Sequence, residues 1–91
     1  MAREVVVLSA VRSAVGGFGG SLSSIEPHEL AGQVMKEAVA RTSVAPEEIN
    51  YVTVGNCIPT DSRYAYVARV AAIQAGLSKE SVAMGVNRLC S

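Results

Sequence analysis

Ile49-Asn50-Tyr51-Val52-Thr53-Val54-Gly55-Asn56 is the stretch on which the fold turns. Val52, Thr53 and Val54 favour a pleated, half-buried backbone, and Gly-Asn punctuates its end, so residues 49–56 read as a strand. On its amino-terminal side, Leu30, Val34, Met35, Ala38 and Val39 recur at helical spacing across residues 27–41, giving one apolar stripe. Pro27 suits the first helical position, where its missing N–H costs nothing, and Glu26 and Glu29 suit the positive end of the dipole. Residues 42–44 break that period, and Pro46-Glu47-Glu48 starts a short turn. On the carboxyl-terminal side, Pro59-Thr60-Asp61-Ser62 is a loop. An Ala- and Val-rich helix over residues 64–75 follows, ended by Gly76. Residues 81–86 then read as another strand.

Further out, Val5-Val6-Val7-Leu8 is a continuous apolar run, the pattern of a parallel strand covered on both faces, so residues 4–11 are expected to form the first strand. The order becomes strand-helix-strand-helix-strand. Two crossovers of this kind predict an α/β fold with a parallel sheet. Between the first strand and the first helix lies Gly16-Gly17-Phe18-Gly19-Gly20-Ser21. A P-loop would need Gly-Lys-Ser/Thr at its end, and no Lys occurs before Lys36. A dinucleotide fingerprint starting at Gly17 would need glycine where Leu22 stands. The loop is therefore read as a structural turn, with Phe18 expected to anchor it on the core.

The chain has 91 residues, room for one small domain. Hydrophobic residues make up 49% and aromatic residues 4%, so the core must be built from small aliphatic side chains. Such a domain buries only roughly 60% of its unfolded surface. Eight basic residues balance eight acidic ones with no basic run, which argues against a nucleic-acid partner. The Val5-to-Leu8 run is too short to span a membrane and, with Arg3-Glu4 before it and Arg12 after it, makes a poor signal peptide. No membrane partner is expected. Cys57, Cys90, His28 and Asp61 do not assemble a convincing metal site, and two cysteines so far apart favour reduced thiols in a cytoplasmic setting.

Cys90 is the strongest candidate for chemistry. Ligands bind at the carboxyl ends of strands in open α/β sheets, and Cys90 follows such an end. The strand-then-helix rhythm places a helix start near it, where the dipole would stabilise a thiolate. The competing reading is a quiet packing role, common for free cysteine. Cys57 also follows a strand, so topology alone does not separate the two. His28 is either a general base or an exposed helix-end histidine. Asp61 and Ser62 suggest a turn or cap. Arg12 is placed to clamp an anion or hold the glycine loop, and Asn87 and Arg88 to orient a site or make an interface.

Several of these segments together resemble the thiolase family. The first is Val11-Arg12-Ser13-Ala14-Val15-Gly16-Gly17-Phe18-Gly19-Gly20-Ser21-Leu22; others are Gly55-Asn56 and Ala68-Arg69-Val70-Ala71-Ala72. Most specific is Val86-Asn87-Arg88-Leu89-Cys90-Ser91, which is similar to the block carrying the thiolase nucleophile. The resemblance runs in order along the chain and covers about the first quarter of a family member. It implies a layered αβαβα fold, of which residues 1–91 would be the first part of the amino-terminal core domain. Ser13 stands where many members carry Thr, and Ser91 where many carry Gly.

The resemblance also implies an acetyl-CoA acetyltransferase or 3-ketoacyl-CoA thiolase, working in fatty acid metabolism by acyl transfer through a thioester on Cys90. Coenzyme A is then a substrate, with no other cofactor and no metal. The family's second cysteine, its histidines and its water-positioning asparagine have no counterpart here, and His28 and Cys57 match none of its catalytic blocks. The expected partners are acyl-CoA substrates, a complementary carboxyl-terminal chain of the same protein, and further copies in a homodimer or homotetramer. Asn87 and Arg88 are the interface candidates. The rival readings are a ketoacyl synthase-type condensing enzyme, a non-catalytic lipid-binding or assembly subunit, and a small independent α/β domain.

Overall fold

A computed structural model of the chain describes residues 2–90. Helix α1 spans Pro27–Ala40 and helix α2 Val67–Gln74; strands β1, Tyr51–Gly55, and β2, Val82–Val86, pair in parallel. Their register sets Val52 opposite Ala83 and Gly55 opposite Val86. A β1–α2–β2 crossover of this kind is what parallel pairing requires.

Helix α1 begins where Pro27 and Glu29 place it: the Glu29 carboxylate accepts the Glu26 backbone N–H at 3.2 Å, satisfying a donor the helix itself leaves unpaired. It ends at Arg41, and Thr42 Oγ1 donates to the Val39 carbonyl at 2.7 Å. A short 3₁₀ turn, Pro46–Glu48, then leads into β1. Helix α2 ends in paired reverse bonds, Leu77 N–H to Ala72 O and Gly76 N–H to Ile73 O, both 3.0 Å. They require a left-handed residue at position 76, where Gly76 takes φ 86°. The expected helix over 64–75 is thereby refined. Its first turn is a 3₁₀ segment, Ser62–Tyr66, because the Asp61 carboxylate accepts the Arg63 N–H at 2.9 Å and tightens the entry.

The core lies between α2 and the inner face of the sheet: Val52, Ala72, Ala75 and Leu77, with Met35, Val39, Ile49, Val54 and Ala83 packed around them. Gly32 is buried where α1 crosses α2. A Cβ there would lie 3.3 Å from the Ala71 carbonyl oxygen and 3.4 Å from Gln74 Cβ. Gly32→Leu should therefore force the helices apart and destabilise the protein by about 1–3 kcal/mol. Chemical denaturation of the complete polypeptide measures it, and an unchanged midpoint would refute the tight crossing. Arg69, on α2, donates to the Ser81 carbonyl at 2.7 Å and so ties the helix to the entry of β2.

Two expectations fail. Residues 4–11 form no strand: the run makes no ladder among the described residues, and Val5 and Val7 are 86% and 85% exposed. A β-branched run becomes a strand only with a neighbour to accept its backbone bonds, and β1 and β2 pair with each other in a two-stranded sheet. Phe18 does not anchor the glycine loop either; it is fully exposed. That loop is nevertheless a structural turn. Gly20, Ser23 and Ile25 each direct their N–H to a loop carbonyl, at 2.9, 3.0 and 3.1 Å, so these donors are spent within the chain. Gly19 has φ 66°, and a Cβ on Gly20 would lie 2.9 Å from the Gly17 oxygen.

Candidate active site

Parallel pairing in register brings the carboxyl ends of both strands to one edge, so the residues after Gly55 lie beside those after Val86. Asn56 N–H donates to the Val86 carbonyl at 3.0 Å, extending the ladder by one bond. Beyond it the chains part, and side chains take over. Asn87 Nδ2 donates to the Cys57 carbonyl at 2.7 Å, while its Oδ1 accepts the Leu89 N–H at 2.9 Å. The Cys57 thiol donates to the Leu89 carbonyl at 2.8 Å. Leu89 and Cys90 form a turn, and Leu89 has φ 52°, a left-handed backbone that is uncommon for a bulky residue. The Cβ crowding of that conformation costs about 1–2 kcal/mol, which the surrounding bonds must offset. Cys90, the second residue of this turn, is exposed.

Cys90 and Cys57, separated by 33 positions in sequence, are thus neighbours at one sheet edge, both exposed and unbridged. A shallow cavity of about 170 Å³ lies alongside, lined by Asn56, Tyr64, Val67, Gly85, Val86 and Asn87. The helix expected to begin near Cys90 would continue through Ser91, which lies outside the described residues. Sequence reasoning singled out Asn87 and Arg88 without assigning them contacts, and missed the bond from Cys57. Nothing short of the β1–β2 register signals it.

The other candidates lie elsewhere. His28 is half-buried near the start of α1, with Nδ1 3.1 Å from Gln74 Oε1 and its ring centroid 6.3 Å from that of Tyr64. It links the two helices and is not brought to Cys90. Arg12 donates to the carbonyl of its neighbour Ser13 at 3.0 Å, a local loop contact. Among the described residues, no three His, Cys, Asp or Glu side chains gather as metal ligands, and no helix is long and apolar enough to cross a membrane.

Asp61 and Arg63 form a polar knot at the entry to α2. Arg63 Nε donates to Asp61 Oδ1 at 2.9 Å, the guanidinium lies 5.4 Å from the Tyr64 ring centroid, and the Tyr64 hydroxyl donates to the Glu26 carboxylate. The hydrogen bonds from the Arg63 side chain and backbone hold the Asp61 carboxyl below its ordinary range, and the bond to Glu26 raises the Tyr64 phenol above its own. A carboxyl depressed on folding stabilises the protein above its unfolded pKa, and that contribution is lost as pH falls through the folded value. The melting-temperature difference between wild type and Asp61→Asn should therefore be largest near neutrality and shrink in acid below about pH 4. High salt should weaken it, because the pair is exposed. A difference independent of pH would show that the charge on Asp61 contributes nothing.

Comparison with known proteins bears on the chain as a whole. The family model for the thiolase N-terminal domain matches residues 5–91. The chain belongs to the thiolase family. A curated relative, the β-ketothiolase BktB of Cupriavidus necator, is 48% identical over 90 residues, which is 99% of this chain and 23% of that protein. The crystal structure of the Bacillus anthracis acetyl-CoA acetyltransferase is 41% identical and superposes with a TM-score of 0.84, covering 91% of this chain and 21% of that one. The human mitochondrial 3-ketoacyl-CoA thiolase, solved in complex with CoA, is 33% identical with a TM-score of 0.87, over 92% of this chain and 21% of that one. The thiolase-like α/β fold expected from the sequence is therefore present. This chain spans less than a quarter of the length of these thiolases.

Proposed function

We propose that these residues supply the nucleophile of a complete thiolase, with Cys90 as the acyl-carrying residue. The supporting observation is its placement: an exposed thiol one residue past the left-handed Leu89, at the carboxyl edge of a parallel sheet, inside the segment matched by the thiolase family. Residues 1–91 are on this reading the first part of the amino-terminal core domain.

In the degradative direction the Cys90 thiolate adds to the 3-keto carbonyl of a 3-ketoacyl-CoA. The C2–C3 bond then breaks; its electron pair stays on the acetyl-CoA fragment, which takes a proton from an acid and leaves. The shortened acyl group remains as a thioester on Cys90. Coenzyme A, deprotonated by a base, attacks that thioester and carries the acyl group away, restoring the thiolate. The synthetic direction reverses these steps, with an acetyl group on Cys90 and a second acetyl-CoA as the carbon nucleophile. Sulfur suits both halves, since a thiolate is a good nucleophile and a good leaving group. Coenzyme A is a substrate here, and no resident cofactor or metal is invoked.

The acid and base belong to the rest of the polypeptide, whether continuous with this chain or carried on a complementary one. The exposed apolar run at Val5 to Leu8, Phe18 and the outer sheet face bearing Tyr51, Val82 and Met84 are the surfaces that this remainder would cover. A cytoplasmic homodimer or homotetramer acting in fatty acid metabolism completes the reading, with the segment at Asn87 and Arg88 near the subunit contact. Incubating the complete enzyme with acetyl-CoA and mapping the adduct by mass spectrometry tests the assignment. One acetyl group on Cys90 is expected; labelling at another residue, or none, would overturn it.

A further inference from the structure

We infer that Asn87, assisted by Cys57, is a positioning residue that aims Cys90 for acylation; this rests on the reading of Cys90 as the nucleophile. The peptide unit joining Leu89 to Cys90 sets where the nucleophile sits. That unit is planar, so the direction of the Leu89 carbonyl also fixes the direction of the Cys90 N–H and the position of its Cα. The Cys57 thiol holds this carbonyl at 2.8 Å. On the other side of Leu89, Asn87 Oδ1 holds the Leu89 N–H at 2.9 Å. The two bonds bracket the φ and ψ of Leu89, the residue whose φ of 52° an unconstrained leucine would rarely keep.

The Asn87 amide closes the device. Its Nδ2 donates to the Cys57 carbonyl at 2.7 Å, so the residue that grips Leu89 from the front is itself fixed to the residue that grips it from behind. Carbonyl, thiol and amide thus form a clasp between the ends of β1 and β2, across 30 positions of sequence. Only an amide side chain provides both ends: aspartate keeps the acceptor for Leu89 and loses the donor to Cys57, and alanine loses both. A nucleophile released from this geometry is misplaced relative to the thioester carbonyl, and misplacement by about 1 Å costs about 100-fold in rate.

The test uses the complete enzyme, with acetyl-CoA as the probe and single-turnover acetylation of Cys90 followed by quenched-flow mass spectrometry. Asn87→Ala should lower the acylation rate constant by about 10- to 100-fold while leaving the KM for acetyl-CoA unchanged. Asn87→Asp should fall between it and wild type. Adding Leu89→Gly to Asn87→Ala should recover part of the rate, because glycine takes positive φ without the Cβ penalty; a merely stabilising role for Asn87 predicts no such rescue. Cys57→Ala should slow acylation more than Cys57→Ser, which keeps a donor for the Leu89 carbonyl. If Asn87→Ala does not fold, Asn87→Asp and Cys57→Ala carry the same comparison. Wild-type acylation rates in the folded variants would overturn the clasp while leaving Cys90 as nucleophile. Acetylation of wild type at a residue other than Cys90 would instead remove the reading beneath it.

Discussion

Cys90→Ser in the complete enzyme should reduce acyl transfer by about 10⁴-fold or more, on the scale seen when a nucleophile is removed from an assembled site. The protein should remain folded. A thiol gives up its proton far more readily than a serine hydroxyl, which keeps its own unless a strong base is aimed at it. Alkoxide is also the poorer leaving group when coenzyme A attacks the acyl-enzyme. Cys90 is exposed and contributes nothing to the core, so exchanging sulfur for oxygen removes reactivity and little packing. The measurement is acetyl-CoA-dependent acylation and full turnover, with circular dichroism and oligomer size as controls on the fold. Near-normal turnover in Cys90→Ser would sink the assignment. Loss of turnover in Cys57→Ser, with stability retained and the acetyl group of the wild type mapped to Cys57, would move the chemistry to the other thiol.

Much of this framework is legible in the residues, and the boundary of what is legible has a physical cause. Helix α1 could be placed over 27–41, against the observed Pro27–Ala40, because its stripe, Pro27 and Glu29 are local signals. Gly76 ends α2 through a backbone conformation that glycine alone adopts freely. β1 and β2 sit inside the expected ranges, and the structural turn read over residues 16–21 follows from the same local logic. Residues 4–11 and Phe18 fail because burial is not a property of a segment: both depend on surfaces other than those the described residues offer. The site divides the same way. Cys90 and Cys57 each follow a strand, and only the resemblance of residues 86–91 to the thiolase nucleophile block sets Cys90 apart. The bond from Cys57 to Leu89 needs the parallel register of two strands before it can be seen, and so does the tie from Arg69 to Ser81.

Residues 1–91 expressed alone should show no cooperative thermal transition and should bind a hydrophobic dye. The core that would have to hold them consists of eight buried apolar residues, half of them alanine, and no large side chain among the described residues is fully buried. Alanine burial releases little water-exposed area, and the return from burial is roughly 25 cal/mol per Å². Against it stands a backbone ordering cost of about 1–2 kcal/mol for every residue fixed. Meanwhile Val5, Val6, Val7, Leu8, Phe18, Tyr51, Val82 and Met84 lie more than half exposed. Leaving them bare forgoes the stabilisation a complete fold would gain, and the outer face and edges of a two-stranded sheet invite association between copies. The same segment mixed with the remaining thiolase sequence should lose dye binding and gain a cooperative transition. A sharp, reversible, concentration-independent transition of residues 1–91 alone would instead establish a self-sufficient α/β domain. The exposed strand face would then need another explanation than the surface of a larger thiolase.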